Sequence, residues 1–203
     1  PMATLGCKAA CLHTAGNPAA MAGKDRARKA RTLAFFKARA AFMIVLADEI
    51  KRHSDTARKL GMIAAVRLNA TSDIRWEREA VTLGGVTYPN LMSLFPDVRF
   101  YDYTKIANRR NVPDNYSLVF SLAENNDNQA VAAIANGFNV AVVFDTKRNR
   151  PLPDKYTIAG LTLRVIDGDL DDARFADPKG VIVGLRAKGK AITDASGFVR
   201  KAA

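Results

Sequence analysis

The chain is poor in the side chains that most often carry metal, redox or nucleophilic chemistry: 203 residues hold two cysteines and two histidines, with a single tryptophan. Two cysteines cannot frame a disulfide scaffold in a chain of this length, and a reducing, cytoplasmic setting is the expectation. With only His13 and His53, His-based triads and His-rich zinc sites are nearly excluded. No apolar run approaches the roughly 18 residues of a membrane span, the longest candidate being Ala40–Ala47. Glycine-rich phosphate loops are missing as well. No Gly-x-Gly-x-x-Gly follows a strand-like run, and the stretch from Gly16 to Gly23-Lys24-Asp25 departs from the P-loop in spacing and in its final residue. Nor does the start show a basic stretch, an apolar core and a cleavage site. Beginning at Pro1-Met2-Ala3, the chain reads as lacking part of its N-terminus.

What is present in ordinary measure is a globular composition, with 48% hydrophobic and 25% charged residues. The length suits one domain over residues 1–203, with a basic helical part at 1–60 and strand–helix repeats at 61–203. What is present in excess is positive charge: 31 Lys and Arg against 20 Asp and Glu, a net +11. Most of that excess lies before residue 61, and its densest stretch carries Lys24, Arg26, Arg28, Lys29 and Arg31 within eight positions. Arg186, Lys188, Lys190, Arg200 and Lys201 form a second cluster, opposed in sequence only by Asp194. Localised positive charge is the footprint of phosphate-backbone binding, so nucleic acid, DNA ahead of RNA, is the expected partner, and a membrane is not.

Leu33, Phe36, Ala40, Met43, Ala47 and Ile50 recur at steps of three and four, which predicts one long amphipathic helix from about Asp25 to Lys59 stopped by Gly61. Short apolar runs then end in polar residues again and again. Met62–Leu68, Val98–Tyr101, Ser117–Phe120, Val140–Phe144, Leu163–Ile166 and Val181–Leu185 read as buried strands, with a helix over Asn128–Asn136 among them. Such a pattern predicts an α/β fold with a parallel sheet and intervening helices. The strand spacing is short for a full barrel of about 250 residues, so a compact or incomplete (β/α) barrel is the expectation, narrowly ahead of an open sheet.

In parallel α/β folds, chemistry collects at the carboxyl ends of the strands. Asp73, Asp102, Glu124, Asp145, Asp167 and Asp169 fall there, and neighbouring carboxylates can divide acid, base and nucleophile roles. Asp73 and Asp102 are the expected catalytic pair, with Asp145 and Asp169 as substitutes. Taken singly, each reads more readily as a helix cap; taken as a set with Arg75, Lys105 and Lys188, they read as a site. Arg75, Trp76, Tyr103, Lys105 and Lys188 are candidate substrate contacts. Trp76 beside Arg75 would give a base a stacking surface, or would simply pack beneath a loop. Cys7 and Cys11, four apart, put both thiols on one helical face, a spacing better suited to a metal than to a disulfide.

Gly6–Leu12, Arg67–Glu77 with its Thr71-Ser72-Asp73-Ile74-Arg75-Trp76 core, Phe100–Lys105, Asn139–Phe144 and Gly184–Gly189 together resemble a family of uncharacterised phage and prophage proteins, over essentially the whole chain. The resemblance implies a further cysteine just upstream of Pro1, and with it an iron–sulfur cluster or zinc in the intact protein, with Cys7 and Cys11 as ligands. At the level of fold only, the chain also resembles tRNA-guanine transglycosylases and radical enzymes that use S-adenosylmethionine. Three functions are therefore expected, in this order. The first is base exchange on DNA through a carboxylate nucleophile. The second is iron–sulfur or radical chemistry, and the third is nucleic-acid binding without catalysis.

Overall fold

The computed structural model describes residues 3–10 and 22–202. The chain divides into two compact units built from non-contiguous segments. One holds residues 1–19, 102–110 and 118–203, and the other 20–101 and 111–117. The division falls inside two strands, β4 (Arg99–Thr104) and β5 (Tyr116–Ser121).

The first unit contains α1 (Leu5–Ala9), α5 (Asp127–Ala135), β6 (Asn139–Phe144), β7 (Lys155–Ile158), β8 (Leu161–Asp167) and β9 (Ile182–Arg186). The second contains α2 (Ala22–Lys37), α3 (Arg39–Lys59), β1 (Ala65–Val66), β2 (Val81–Leu83), β3 (Val86–Tyr88) and α4 (Leu91–Leu94). The seven-stranded sheet has the order β1-β4-β5-β6-β9-β8-β7, and β2 and β3 make a separate two-stranded ribbon. The pairs β1–β4, β5–β6, β6–β9 and β9–β8 are parallel, and β7 joins β8 as an antiparallel hairpin. The protein is thus mixed α/β with a mostly parallel sheet. The order runs from β1 at one edge to β7 at the other, and the compact or incomplete barrel expected from the spacing is not shown as closed.

The apolar runs are continuous because the central strands bury both faces. Phe120, Val140, Val142, Phe144 and Ile182 point into one core, with Ala130 and Ala133 of α5 and Ile158 of β7. The alternate residues Val119, Ala141 and Val183 point into another, packed by Tyr103, Ile166 and Leu185. Period-two alternation along each strand sends successive side chains to opposite cores. Gly184 in β9 is a packing requirement: a Cβ there would lie 2.7 Å from Val165 and 2.9 Å from Leu152.

All six strands read from the sequence are present. The hairpins β2–β3 and β7–β8 were not expected; each is short and turns through two residues of positive φ, Gly84-Gly85 and Ala159-Gly160. The largest correction concerns the long helix, which breaks at Ala38 (φ −139°, ψ 49°) into α2 and α3. Ala38 closes α2 by donating its N–H to Ala34 and opens α3 by accepting from Phe42, both at 2.9 Å. The break changes the phase of the buried stripe. Met43, Ala47 and Ile50 are buried as the periodicity predicts, whereas Leu33, Phe36 and Ala40 are exposed and Phe35 is buried in their place. At the far end α3 stops as expected: Gly61 takes φ +66°, and Met62 and Gly61 donate back to Ala57 and Arg58.

Candidate functional site

The carboxyl ends of the strands in the first unit do gather charged side chains, and almost every one is engaged by another. Asp167, ending β8, accepts from the Arg186 guanidinium at 2.9 Å and from the Asp169 N–H at 3.0 Å. Asp169 accepts from the Arg186 guanidinium and main-chain N–H, both at 3.0 Å, and from Lys188 Nζ at 2.7 Å. Arg186 also donates from Nε and Nη2 to the Arg150 carbonyl. The hydrogen bond from Arg186 holds the Asp167 carboxyl below its usual value. Burial works to raise Asp169, but the bonds from Lys188 and Arg186 outweigh it and the net shift is downward.

The same holds along the rest of that edge. Arg200 bridges Asp127 and donates to the Ala123 carbonyl. Asp145 accepts from the Ala202 N–H at 2.9 Å and faces Lys201 at 3.6 Å. Lys105 donates to the Ser121 carbonyl and hydroxyl and lies 5.8 Å from the Phe198 ring centre. Tyr103 donates to Asp172 at 3.3 Å. Glu124 accepts from the Thr4 hydroxyl at 2.6 Å and the Gly6 N–H at 2.8 Å. Burial alone would raise Glu124, yet these bonds leave it lowered. Glu124 thereby seats α1, where a Cβ on Gly6 would collide with Ser196. Cys7, on α1, is partly buried. Cys11 and His13 lie outside the described residues, and among those described no group of three His, Cys, Asp or Glu side chains could hold a metal ion.

The two carboxylates of the expected pair fall in different units. Asp102 belongs to the first unit and Asp73 to the second. Asp102 is fully buried at 0% exposure, and both carboxylates already interact with their surroundings. Two surface hollows, of about 430 and 350 Å³, are lined by Asn125–Gln129 and by residues around Met92, Arg99 and Asn115. Neither includes Asp73, Asp102, Asp145 or Asp169.

Trp76 likewise presents no open face for a base. It is 4% exposed, its Nε1–H donates to Asn69 Oδ1 at 3.1 Å, and Phe35 meets it edge-on at 5.4 Å. Arg75 beside it is partly buried. The residue that organises this loop is Asn69, which sequence reasoning missed. Its Oδ1 accepts from Ser72 Oγ, Ile74 N–H and Trp76, and its Nδ2 donates to the Ile74 carbonyl. A buried polar residue two positions before Thr71-Ser72-Asp73 was the available signal, because a buried amide must fill its hydrogen bonds.

Through Phe35 this loop holds α2. The Phe35 ring also meets Phe36 and Phe42, and Arg39 lies 4.4 Å above it while pairing with Glu79 at 2.9 Å. Phe35 is the one residue of α2 that is buried among those described; Arg26, Lys29, Arg31 and Lys37 are exposed and Arg28 is half-buried. None of the five makes an ion pair among the described residues. The side chain of Lys24 lies outside them. On α3, by contrast, Lys51, Arg52 and Arg58 pair with Asp55 or Asp48. The candidate site that remains is therefore the exposed basic surface of α2.

Fold and site together define an α/β protein with a neutralised strand edge and a separate cationic helix. The family model for Gene product 88 matches residues 1–202, and the chain belongs to that family, in agreement with the phage resemblance carried by its motifs. No curated protein and no solved structure matches the chain.

Proposed function

We propose that the protein binds nucleic acid, meeting the phosphate backbone with α2. One observation carries the reading: of the two basic clusters in the sequence, the one on α2 holds Arg26, Arg28, Lys29 and Arg31 without an ion pair among the described residues, and unpaired charge is what releases counterions from a polyanion. The anchoring of Phe35 on Trp76 supports it, since a recognition helix needs a fixed seat.

Catalysis draws less from the geometry. A carboxylate nucleophile for base exchange must reach its substrate, and Asp102 has no exposure while Asp169 is held by Arg186 and Lys188. Asp73 keeps partial exposure. An iron–sulfur or zinc group on Cys7 and Cys11 rests on a residue outside those described.

The test is anisotropy of labelled DNA and RNA oligonucleotides titrated with the full chain across a salt series. Binding is expected to weaken steeply with salt. The R26Q/R28Q/K29Q/R31Q variant should lower the slope of log affinity against log salt by about 3.6 on duplex DNA. Absence of binding at low salt, or an unchanged slope, would overturn the reading.

A further inference from the structure

We infer that α2 prefers single-stranded nucleic acid to duplex, with Phe36 as a stacking platform for an unpaired base; the inference rests on α2 being the phosphate-contacting element. Arg26, Lys29, Leu33 and Phe36 follow one another at steps of three, four and three, so they share one face of the helix, about 15 Å long at about 1.5 Å per residue. Phe35, a third of a turn away, is turned inward onto Trp76. The outward line therefore begins cationic and ends apolar, with Phe36 69% and Leu33 54% exposed and Lys37 exposed beside them.

Exposed aromatic surface next to free cations is the arrangement that grips unpaired bases: cations follow the backbone and the ring accepts a base face. A duplex has its bases stacked inside and gives Phe36 nothing to meet. An anionic membrane fits less well. Helices that lie in a bilayer surface bury a continuous apolar face, and here Arg26 and Lys29 occupy the same line as Leu33 and Phe36. The burial of Phe35 matters to the same argument. Because the helix is already seated by one ring, the neighbouring ring is left 69% exposed with the Phe35 ring at its edge.

The experiment compares an oligo-dT strand with a duplex of equal length, and with vesicles containing an anionic phospholipid, using the full chain. Phe36→Ala should weaken single-strand binding by about 5- to 150-fold and leave duplex binding unchanged. Phe36→Trp should retain affinity, and its exposed indole should be quenched on binding; Trp76, being buried, contributes a constant background. Phe36→Leu should lose affinity as Ala does, because stacking needs a π face. Far-ultraviolet circular dichroism of each variant checks that α2 remains folded. Equal loss on single strand and duplex, retention by Phe36→Leu, or stronger binding to vesicles than to oligo-dT would overturn the inference. In those cases a salt slope still set by Arg26, Arg28, Lys29 and Arg31 would leave the reading of α2 standing, whereas no nucleic-acid binding at all would remove both.

Discussion

On α2, Arg26, Lys29 and Arg31 reach solvent with no ion pair among the described residues; from the end of β9 onward, Arg186, Lys188, Arg200 and Lys201 each face a carboxylate. In sequence the two stretches look alike, both dense in Lys and Arg. In the fold they do different work. The partners of the second stretch lie far away along the chain: Asp167 and Asp169 close β8, Asp127 opens α5 and Asp145 follows β6. Parallel strands bring those carboxylates to one edge, and the basic residues of the last strand and tail arrive to neutralise them. The first stretch lies on a helix whose own acidic residue, Asp25, is one against many. Charge counted along a sequence is therefore not charge available to a ligand; the topology decides which remains.

The comparison can be broken most forcefully at the seat of α2. Trp76→Ala removes the ring under Phe35 and leaves Asn69 short of a donor, a loss of about 3–5 kcal/mol in denaturant unfolding. Nucleic-acid affinity should fall with it, since the helix loses its anchor. At the strand edge, Arg186→Gln leaves Asp167 and Asp169 with less compensation and should cost about 2–3 kcal/mol without altering the salt slope of binding.

That substitution also has a pH signature. Both carboxyls titrate below their ordinary value of 3.8 in the folded chain. The folded state thus binds those protons more weakly than the unfolded one, and the stabilisation is complete above about pH 4 and lost as pH falls through the lowered values. Asp177, pushed upward by burial, works with the opposite sign. Arg186→Gln should flatten the loss of stability below pH 4, measured by thermal midpoint against pH.

Single charges on the two regions should then separate cleanly. Lys29→Gln is expected to lower the salt slope by about 0.9 on duplex DNA and to change stability by less than 0.5 kcal/mol. Lys201→Gln should change neither the slope nor the stability by a measurable amount, because that pair is long at 3.6 Å and Lys201 is 94% exposed. A salt slope that responded to Lys201 as it does to Lys29 would erase the distinction between the regions.

The sheet was legible because Val140–Phe144 and Val181–Leu185 are apolar on both faces, which few local structures other than a buried strand accommodate. The β7–β8 hairpin was not, since Lys155–Ile158 carries little apolar length and Ala159, at φ +45°, stands where Gly or Asn would have announced the turn. The break at Ala38 has no glycine or proline to mark it; it is imposed by the packing of Phe35 and Arg39 on distant residues. For the same reason the basic run on α2 could be read as a surface, while the occupancy of Asp169 by Arg186 and Lys188 could not. Ion pairs made across a sheet leave no local trace.

The one-ring attachment of α2 has a consequence for motion. Apart from Phe35, the described side chains of α2 contribute no fully buried group, and Ala38 offers α3 no side-chain cap at the junction. Few buried contacts and many solvent-facing amides are what define a segment that opens on its own, at a small fraction of the free energy that unfolds the core. Amide hydrogens of Arg26–Phe36 should accordingly exchange through local opening, while those of β6 and β9 exchange only with global unfolding. A polyanion gripping the helix would slow the first set and leave the second untouched, so that binding and the ordering of α2 become one measurable equilibrium.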